Sequence, residues 1–383
     1  MTSFNKIALP AWISYHTYFF GKPESRTYIE NTKKHTYIQL DGISSDLWKL
    51  ICDKVGDNQI LSFAKENAIE DQLDDFISVL MEQELLIAAS ENTSEASCDP
   101  LPSSQELADE ETAFIEEMKS WLFANNFMFS LFFELTYKCN LKCIHCYNPK
   151  HMNAVEIDFD LAKKAIDDAY ELGCFRITFS GGEATMHSRF IDLVKYARQK
   201  HISVEIFTNG QALASNESLY ECTKSLYPYR ICVSLYSTDG DVHEKVTDVK
   251  GSFEKTYSLI GKMRRDNINV QIKNFLLNTN CMDCIKVKKY AETIGATSIA
   301  DISLIPTIEG DKKTMQFMLS EDELFALYTD EKSPLRINDN FKPLEIEKIK
   351  NGAPCFGGFS GLCISPSAEA VVCVSMQIGR AHV

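Results

Sequence analysis

The sequence predicts an α/β fold built on a mostly parallel sheet, in the form of a partial (β/α)6 barrel. Three observations carry this reading. From Phe132 onward, short runs rich in β-branched and aromatic residues alternate with amphipathic stretches of helical period. The spacing between successive runs leaves room for a crossover helix each time, as parallel strands require. A polar loop with three cysteines follows the first run, at the strand end where such barrels place their chemistry.

Taken in order, residues 1–90 read as a small α+β unit. Stretches 11–20 and 26–40 are rich in Tyr, Ile, Thr and Phe, broken by Gly21 and Pro23, and predict strands and hairpins. Asp41 and Gly42 predict a turn, with Ser44 or Ser45 as N-cap of a helix over 46–55. Further helices are expected over 58–66 and 70–85, the latter with Leu73, Phe76, Ile77, Leu80 and Leu85 near one face. Residues 91–112 combine Ser, Thr, Glu, Asp and Pro with few large apolar side chains. Such a composition does not repay the entropy of ordering, and it predicts an acidic flexible linker in which Cys98 is a surface thiol.

A helix over 114–123 leads into a catalytic domain over 113–340. There strands are expected at 174–180, 203–208, 230–235, 269–277 and 297–304. Helices are expected at 161–172, 189–200, 217–225, 253–265 and 282–294.

Composition bounds the function. Hydrophobic content of 45% with 24% charged residues is that of a globular protein. The net charge of −15 argues against nucleic-acid or anionic-membrane binding, since either needs a basic face. No apolar segment reads as a signal peptide or a membrane span, so a cytoplasmic location is expected. Thirteen cysteines in such a chain point to metal rather than disulfides.

The stretch FFELTYKCNLKCIHCYN holds Cys139, Cys143 and Cys146 in C-x3-C-x2-C spacing. Three thiolates from one short loop can hold three irons of a [4Fe–4S] cluster and leave the fourth without a protein ligand. A zinc knuckle would want a fourth ligand, and His145 lies in a loop too tight to join the cysteines easily. With the preceding strand and the adjacent aromatic Tyr147, the motif resembles that of the radical S-adenosylmethionine (SAM) superfamily. The family places an aromatic before the last cysteine; here His145 stands there and Tyr147 follows.

The resemblance implies the later features. Ser180, Gly181, Gly182 and Glu183 end the second strand, where the family's GGE motif meets the methionine part of SAM; glycines would let the backbone approach the ligand. Thr208-Asn209-Gly210 resembles a second family motif, with Asn209 as a SAM contact. Ser234 lies where the family uses a polar residue near the ribose, and Lys273 and Asn274 are weaker candidates of the same kind. Cys281-x2-Cys284 opens a helix and reads as incidental; Cys52, Cys174, Cys222 and Cys232 read as core residues.

Residues 1–90 resemble the winged-helix peptide-recognition (PqqD-like) domain of ribosomal-peptide maturases. In that family a leader peptide adds as a strand to an open sheet edge. The acidic helix bearing Glu70, Asp71, Asp74 and Asp75 argues against DNA, while a domain that only packs on the core is the alternative.

Residues 341–377 resemble the start of a SPASM iron–sulfur extension, with Cys355, Cys363 and Cys373 as ligands of auxiliary [4Fe–4S] clusters. Ala368 stands where that family has a turn glycine, and Val372 where it has proline. Residues 378–383 read like a translated sequencing adapter, so the natural chain is expected to continue past them with a different sequence.

The resemblance implies reductive cleavage of SAM to a 5′-deoxyadenosyl radical, used to modify a ribosomally made precursor peptide bound through its leader. A thioether cross-link is the first expected product, then a carbon–carbon cross-link. A flavodoxin or ferredoxin would supply the electron. The alternatives are a radical SAM enzyme acting on another protein or a small molecule, and a non-enzymatic iron–sulfur electron carrier.

Overall fold

The computed structural model describes residues 4–90, 105–148, 155–336 and 361–372. The N-terminal unit contains β1 (Ile7–Ala8), β2 (Ile13–Tyr18), β3 (Arg26–Asn31), β4 (Thr36–Asp41), α1 (Ile43–Cys52), α2 (Asp57–Glu66), α3 (Leu73–Glu82) and β5 (Ile87–Ala88). Strands β2, β3 and β4 form an antiparallel sheet in that order, and β1 pairs with β5 to clasp the unit's two ends. Trp12, Ile13, Ile29, Leu47, Trp48, Ile60, Ile77 and Leu80 make its core.

Helix α1 starts three residues earlier than expected, and no serine caps it. Gly42, at φ 54°, takes the N-cap position, while Ser45 is buried against the hydroxyls of Ser25 and Thr27. The hydroxyl that local sequence offers as a cap is drawn into a tertiary hydrogen-bond cluster instead.

The linker expectation is also corrected. Helix α4 runs Gln105–Ala124, so residues 105–112 are helical rather than part of a tether. Ordering there is repaid further along the same helix, where Met118 and Leu122 are fully buried among Tyr18, Tyr28, Phe129 and Phe175. Glu111 adds polar anchors, accepting from the hydroxyls of Tyr229 at 2.6 Å and Tyr37 at 3.4 Å.

Beyond α4 the chain alternates as anticipated: β6 (Ser130–Thr136), α5 (Phe159–Glu171), β7 (Arg176–Gly181), α6 (Phe190–Gln199), β8 (Ser203–Thr208), α7 (Gln211–Ser215), α8 (Glu217–Ser225), β9 (Arg230–Ser234), α9 (Gly240–Thr247), α10 (Ser252–Arg265), β10 (Val270–Phe275), α11 (Asp283–Thr293), β11 (Thr297–Asp301) and α12 (Glu321–Thr329). Strands β6 to β11 are parallel and neighbour one another in sequence order. The α/β class and the six-unit barrel sheet are therefore as read from the sequence. Helices α7, α9 and α12 lie outside the expected set; α7 and α9 are one to two turns long, too short to give a clear period.

Alternation fixes the two faces of the sheet. Leu131, Phe133, Leu135, Ile177, Phe179, Val204 and Ile206 pack against α5 and α6, while Ile231, Val233, Val270 and Ile272 pack against α10 and α11. The opposite face carries Glu134, Arg176, Thr178 and Glu205, all buried and all hydrogen-bonded.

Two further strands come from the C-terminal region. β12 (Gly361–Ile364) pairs parallel with β6, and β13 (Ala370–Val371) pairs antiparallel with β12. The turn between them places Ala368 at φ 59°, the left-handed region that favours glycine. Thus the described part of the expected iron–sulfur extension joins the barrel sheet. Cys355, Cys373 and residues 378–383 lie outside the described residues.

The N-terminal unit docks on the barrel through buried polar contacts. Arg176, at the start of β7, donates to Glu30 at 2.7 Å and to the Tyr37 hydroxyl at 3.0 Å, and stacks 3.6 Å from the Tyr229 ring centre. Arg198 donates to the Ser14 hydroxyl and to the carbonyls of Ala11 and Ile13, and the Tyr18 hydroxyl donates to the Gly173 carbonyl at 2.9 Å.

Candidate active site at the C-terminal end of β6

The three cysteines stand on the loop that leaves β6, at the C-terminal edge of the sheet. Backbone bonds seat this loop independently of its thiols. Lys142 and Ile144 donate to the carbonyls of Thr247 and Val246, at the end of α9, each at 3.0 Å. His145 is half-buried, stacked on Phe275 and edge-on to Tyr236, and desolvation of its ring pulls its pKa down to about 4. A neutral, sandwiched imidazole packs the loop from beneath.

Each thiol is half-buried and each has a polar neighbour. Cys139 Sγ lies 3.5 Å from the Leu141 amide and 3.6 Å from Asn209 Nδ2, and Cys143 Sγ lies 3.8 Å from the Tyr236 hydroxyl. Cys146 Sγ lies 3.2 Å from the Asn148 carbonyl. Burial, with smaller contributions from the neighbouring thiols, pushes Cys139 up to about 12 and raises Cys143 further; burial likewise takes Cys146 to about 11. The set is neutral until cations arrive, and binding iron must release protons.

Among the described residues, no three His, Cys, Asp or Glu side chains converge closely enough to hold a single metal ion. Three electrostatically coupled thiols at a strand end, with an amide and a hydroxyl beside them, fit a three-cysteine [4Fe–4S] site.

The glycine motif has a local packing task of its own. A Cβ on Gly181, at φ 128°, would stand 2.3 Å from the Thr136 carbonyl oxygen; one on Gly182 would stand 2.5 Å from that of Lys138. The amides of Gly182 and Glu183 donate to those two carbonyls at 2.7 and 2.8 Å. Both glycines therefore let the end of β7 press against the root of the cysteine loop. Gly182→Ala is expected to lift that loop, at a cost near the upper end of about 1–3 kcal/mol. A lowered urea midpoint together with reduced iron uptake would show it.

Glu183 is buried and ties the strand ends together. Its carboxylate accepts from the Thr185 amide and hydroxyl, from the Thr208 hydroxyl at 2.7 Å and from the Asn209 amide at 2.6 Å. Asn209 donates to Asn140 Oδ1 at 2.7 Å as well as facing Cys139. The motifs at the ends of β7 and β8 thus meet on the cysteine loop, as their strand positions imply. Ser180 is buried on the same strand end, and Ser234, at the end of β9, hydrogen-bonds the Tyr236 side chain.

Cys222 is exposed, not the core residue expected, while Cys174 and Cys232 are buried. The Tyr147 hydroxyl donates to the buried carboxylate of Glu134, which fixes the ring beside the cysteine loop. Lys273 Nζ lies 3.8 Å from the Phe207 ring centre, and the buried Asn274 side-chain amide has no hydrogen-bond partner among the described residues. Cys363 is buried on β12 in register with Phe132, away from the three-cysteine loop. A cavity of about 1200 Å³ lies at the opposite, N-terminal ends of the strands, lined by Tyr37, Phe114, Arg176 and Glu205 among others. We place the site at the cysteines because the motif residues meet there. Sequence reasoning missed Tyr236 and Glu134. The second was signalled by a lone carboxylate inside an apolar strand.

Residues 133–282 match the family model described as the radical SAM superfamily. The chain is 28% identical over 181 residues to the AdoMet-dependent heme synthase of Methanosarcina barkeri, which covers 47% of this chain and 51% of that one. It is 28% identical over 257 residues to the antilisterial bacteriocin subtilosin biosynthesis protein AlbA of Bacillus subtilis, covering 63% and 54%. The chain spans about half the length of these curated relatives. Its fold is similar to that of Streptococcus suis SuiB bound to precursor peptide SuiA, with a TM-score of 0.54 and 15% identity over 97% of this chain and 84% of that one. The cofactors of the matched family are a [4Fe–4S] cluster and SAM. With the three-cysteine loop and the parallel sheet that carries it, the match makes residues 133–282 similar to the radical SAM superfamily domain.

Proposed function

We propose that this chain is a peptide maturase that uses reductive SAM cleavage to modify a ribosomally made precursor, with a thioether or carbon–carbon cross-link as product. The observation that carries the chemistry is the loop of Cys139, Cys143 and Cys146, seated against Gly181, Gly182 and Glu183. These cysteines are assigned as the ligands of the cluster. Tyr147, Ser180, the two glycines, Glu183, Asn209 and Ser234 are assigned as the shell that shapes the SAM site. When bound, the cluster and SAM supply one-electron cleavage of the sulfonium and a radical able to take hydrogen from carbon.

The protein's own residues do the positioning. Asn209 and Tyr236 offer an N–H and an O–H to two of the sulfurs, which stabilises the thiolate form. Glu183 holds the ends of β7 and β8 at fixed spacing. His145, neutral and sandwiched, supports the loop without adding charge.

A peptide substrate is supported by the N-terminal unit and by relatives that make or bind peptides. Among the described residues no strand pairs with the outer edge of β4, which leaves an edge for an added strand. On this reading residues 1–90 are the leader-binding domain and 113–340 the catalytic domain. Cys355, Cys363 and Cys373 belong to an auxiliary cluster. A flavodoxin or ferredoxin in the cytoplasm supplies the electron. No described helix is long and apolar enough to cross a membrane.

The second reading, a small-molecule substrate, is favoured by the heme-synthase relatives. Anaerobic reconstitution with iron and sulfide, then SAM and dithionite, should yield 5′-deoxyadenosine. Adding a precursor peptide encoded beside the gene should give a product lighter by two hydrogens. Deoxyadenosine without peptide modification, but with turnover of a porphyrin, would favour the second reading. No deoxyadenosine from a cluster-loaded protein would overturn both.

A further inference from the structure

The pair Cys281 and Cys284 stands apart from the three-cysteine loop. Both sit at the start of α11, Cys281 in the turn and Cys284 at the second helical position, inside one apolar cluster with Leu276 and Leu327. Residues three apart across a first helical turn lie roughly 5 Å apart at Cα, inside the roughly 4.4–6.8 Å span that a disulfide bridges. Their exposures differ in a useful way. Cys281 is half-buried, whereas Cys284 is 2% exposed. The Cys281 thiol also lies 3.7 Å from Glu323 Oε1 on α12.

The turn that bears the pair is wired to the cysteine loop. Asn280, the residue before Cys281, donates through Nδ2 to the carbonyls of Tyr236 at 2.8 Å and Phe275 at 3.0 Å, and accepts from the Leu277 amide at 2.7 Å. The Tyr236 hydroxyl lies beside Cys143, and the Phe275 ring stacks on His145. A change at Cys281 is therefore one residue away from two supports of the candidate cluster loop.

We propose that Cys281 and Cys284 form a reversible dithiol–disulfide site, oxidised by low-molecular-weight disulfides. The accessible Cys281 thiolate attacks one sulfur of the oxidant and releases one small thiol. The Cys284 thiolate then attacks the Cys281 sulfur of the mixed disulfide and releases the second. Two protein thiols are oxidised to one disulfide, the oxidant is reduced to two thiols, and their two protons pass to the departing thiolates. The hydrogen bond from Cys281 to Glu323 is lost in the oxidised form.

The test uses the full chain with its cluster reconstituted, equilibrated anaerobically in glutathione buffers of increasing oxidation. The protein is then denatured, alkylated and digested for mass spectrometry. The expected result is a peptide containing both residues that is two hydrogens lighter and unalkylated, restored by reduced glutathione. Cys284→Ser is expected to trap glutathione on Cys281 instead. Wild type that carries stable glutathione on Cys281, or keeps both thiols alkylatable after exposed Cys222 has reacted, would overturn the proposal.

Discussion

Cys143→Ala is expected to lose the cluster and with it all 5′-deoxyadenosine formation, while the fold survives. The substitution removes one sulfur from a half-buried site, and the neighbouring backbone bonds from Lys142 and Ile144 to α9 do not involve it. Its structural cost should stay near about 1 kcal/mol, the middle of the usual range. Loss of iron without loss of stability is the signature of a ligand. The informative contrast is Cys174→Ala. That thiol is fully buried in the core behind β6 and β7, so its truncation should lower the urea midpoint and leave iron uptake intact. Iron per chain, deoxyadenosine and urea midpoint, measured on both variants, separate the two roles. Retention of iron and deoxyadenosine by Cys143→Ala would remove that residue from the ligand set.

Arg176→Met should produce the largest loss of stability, about 3–5 kcal/mol, because it strands Glu30 in a buried site. Arg176 is 6% exposed, and its guanidinium serves four partners at once: Glu30, Tyr37, Ser203 and the face of Tyr229. It joins β3 of the N-terminal unit to β7 of the barrel, so its loss should also uncouple the two. Trp12 and Trp48 lie in the core of that unit and report its unfolding by fluorescence, while far-ultraviolet dichroism follows the whole chain. A single transition should split into two. Replacing Glu30 by Met as well removes the stranded carboxylate and should recover much of the loss. A double variant no more stable than Arg176→Met would mean that the stacking on Tyr229, rather than the ion pair, supplies the stability.

Much of the barrel was legible because its strands are buried on a defined face. The run CFRITFS reads as a strand from its β-branched and aromatic residues, and it becomes β7. Helix α10, with Leu259, Ile260 and Met263 on one stripe, was equally readable. The three-cysteine loop was legible because its spacing is chemistry and not packing.

What stayed hidden was set by distant partners. Nothing local reveals that Ser45 gives up capping to bond Ser25 and Thr27 across the sheet. The acidic stretch before residue 112 reads as unstructured until the aromatic cluster around Tyr18 and Phe129 is in place to order α4. The packing role of Gly181 and Gly182 stayed hidden for a related reason. A sequence shows that a glycine is needed, not which neighbour requires the space.

The parallel pairing of β12 with β6 bears on how the molecule is made. Ser130 finds its partner Gly361 only after every other strand of the barrel has left the ribosome. Until then, the strand that carries the cysteine loop has an unpaired outer border, open to self-association between nascent chains. Closing that border requires joining the most distant parts of the sheet, a slow step in loop-entropy terms. The strand beneath the candidate radical centre is thus the first of its sheet to be synthesised and the last to be enclosed.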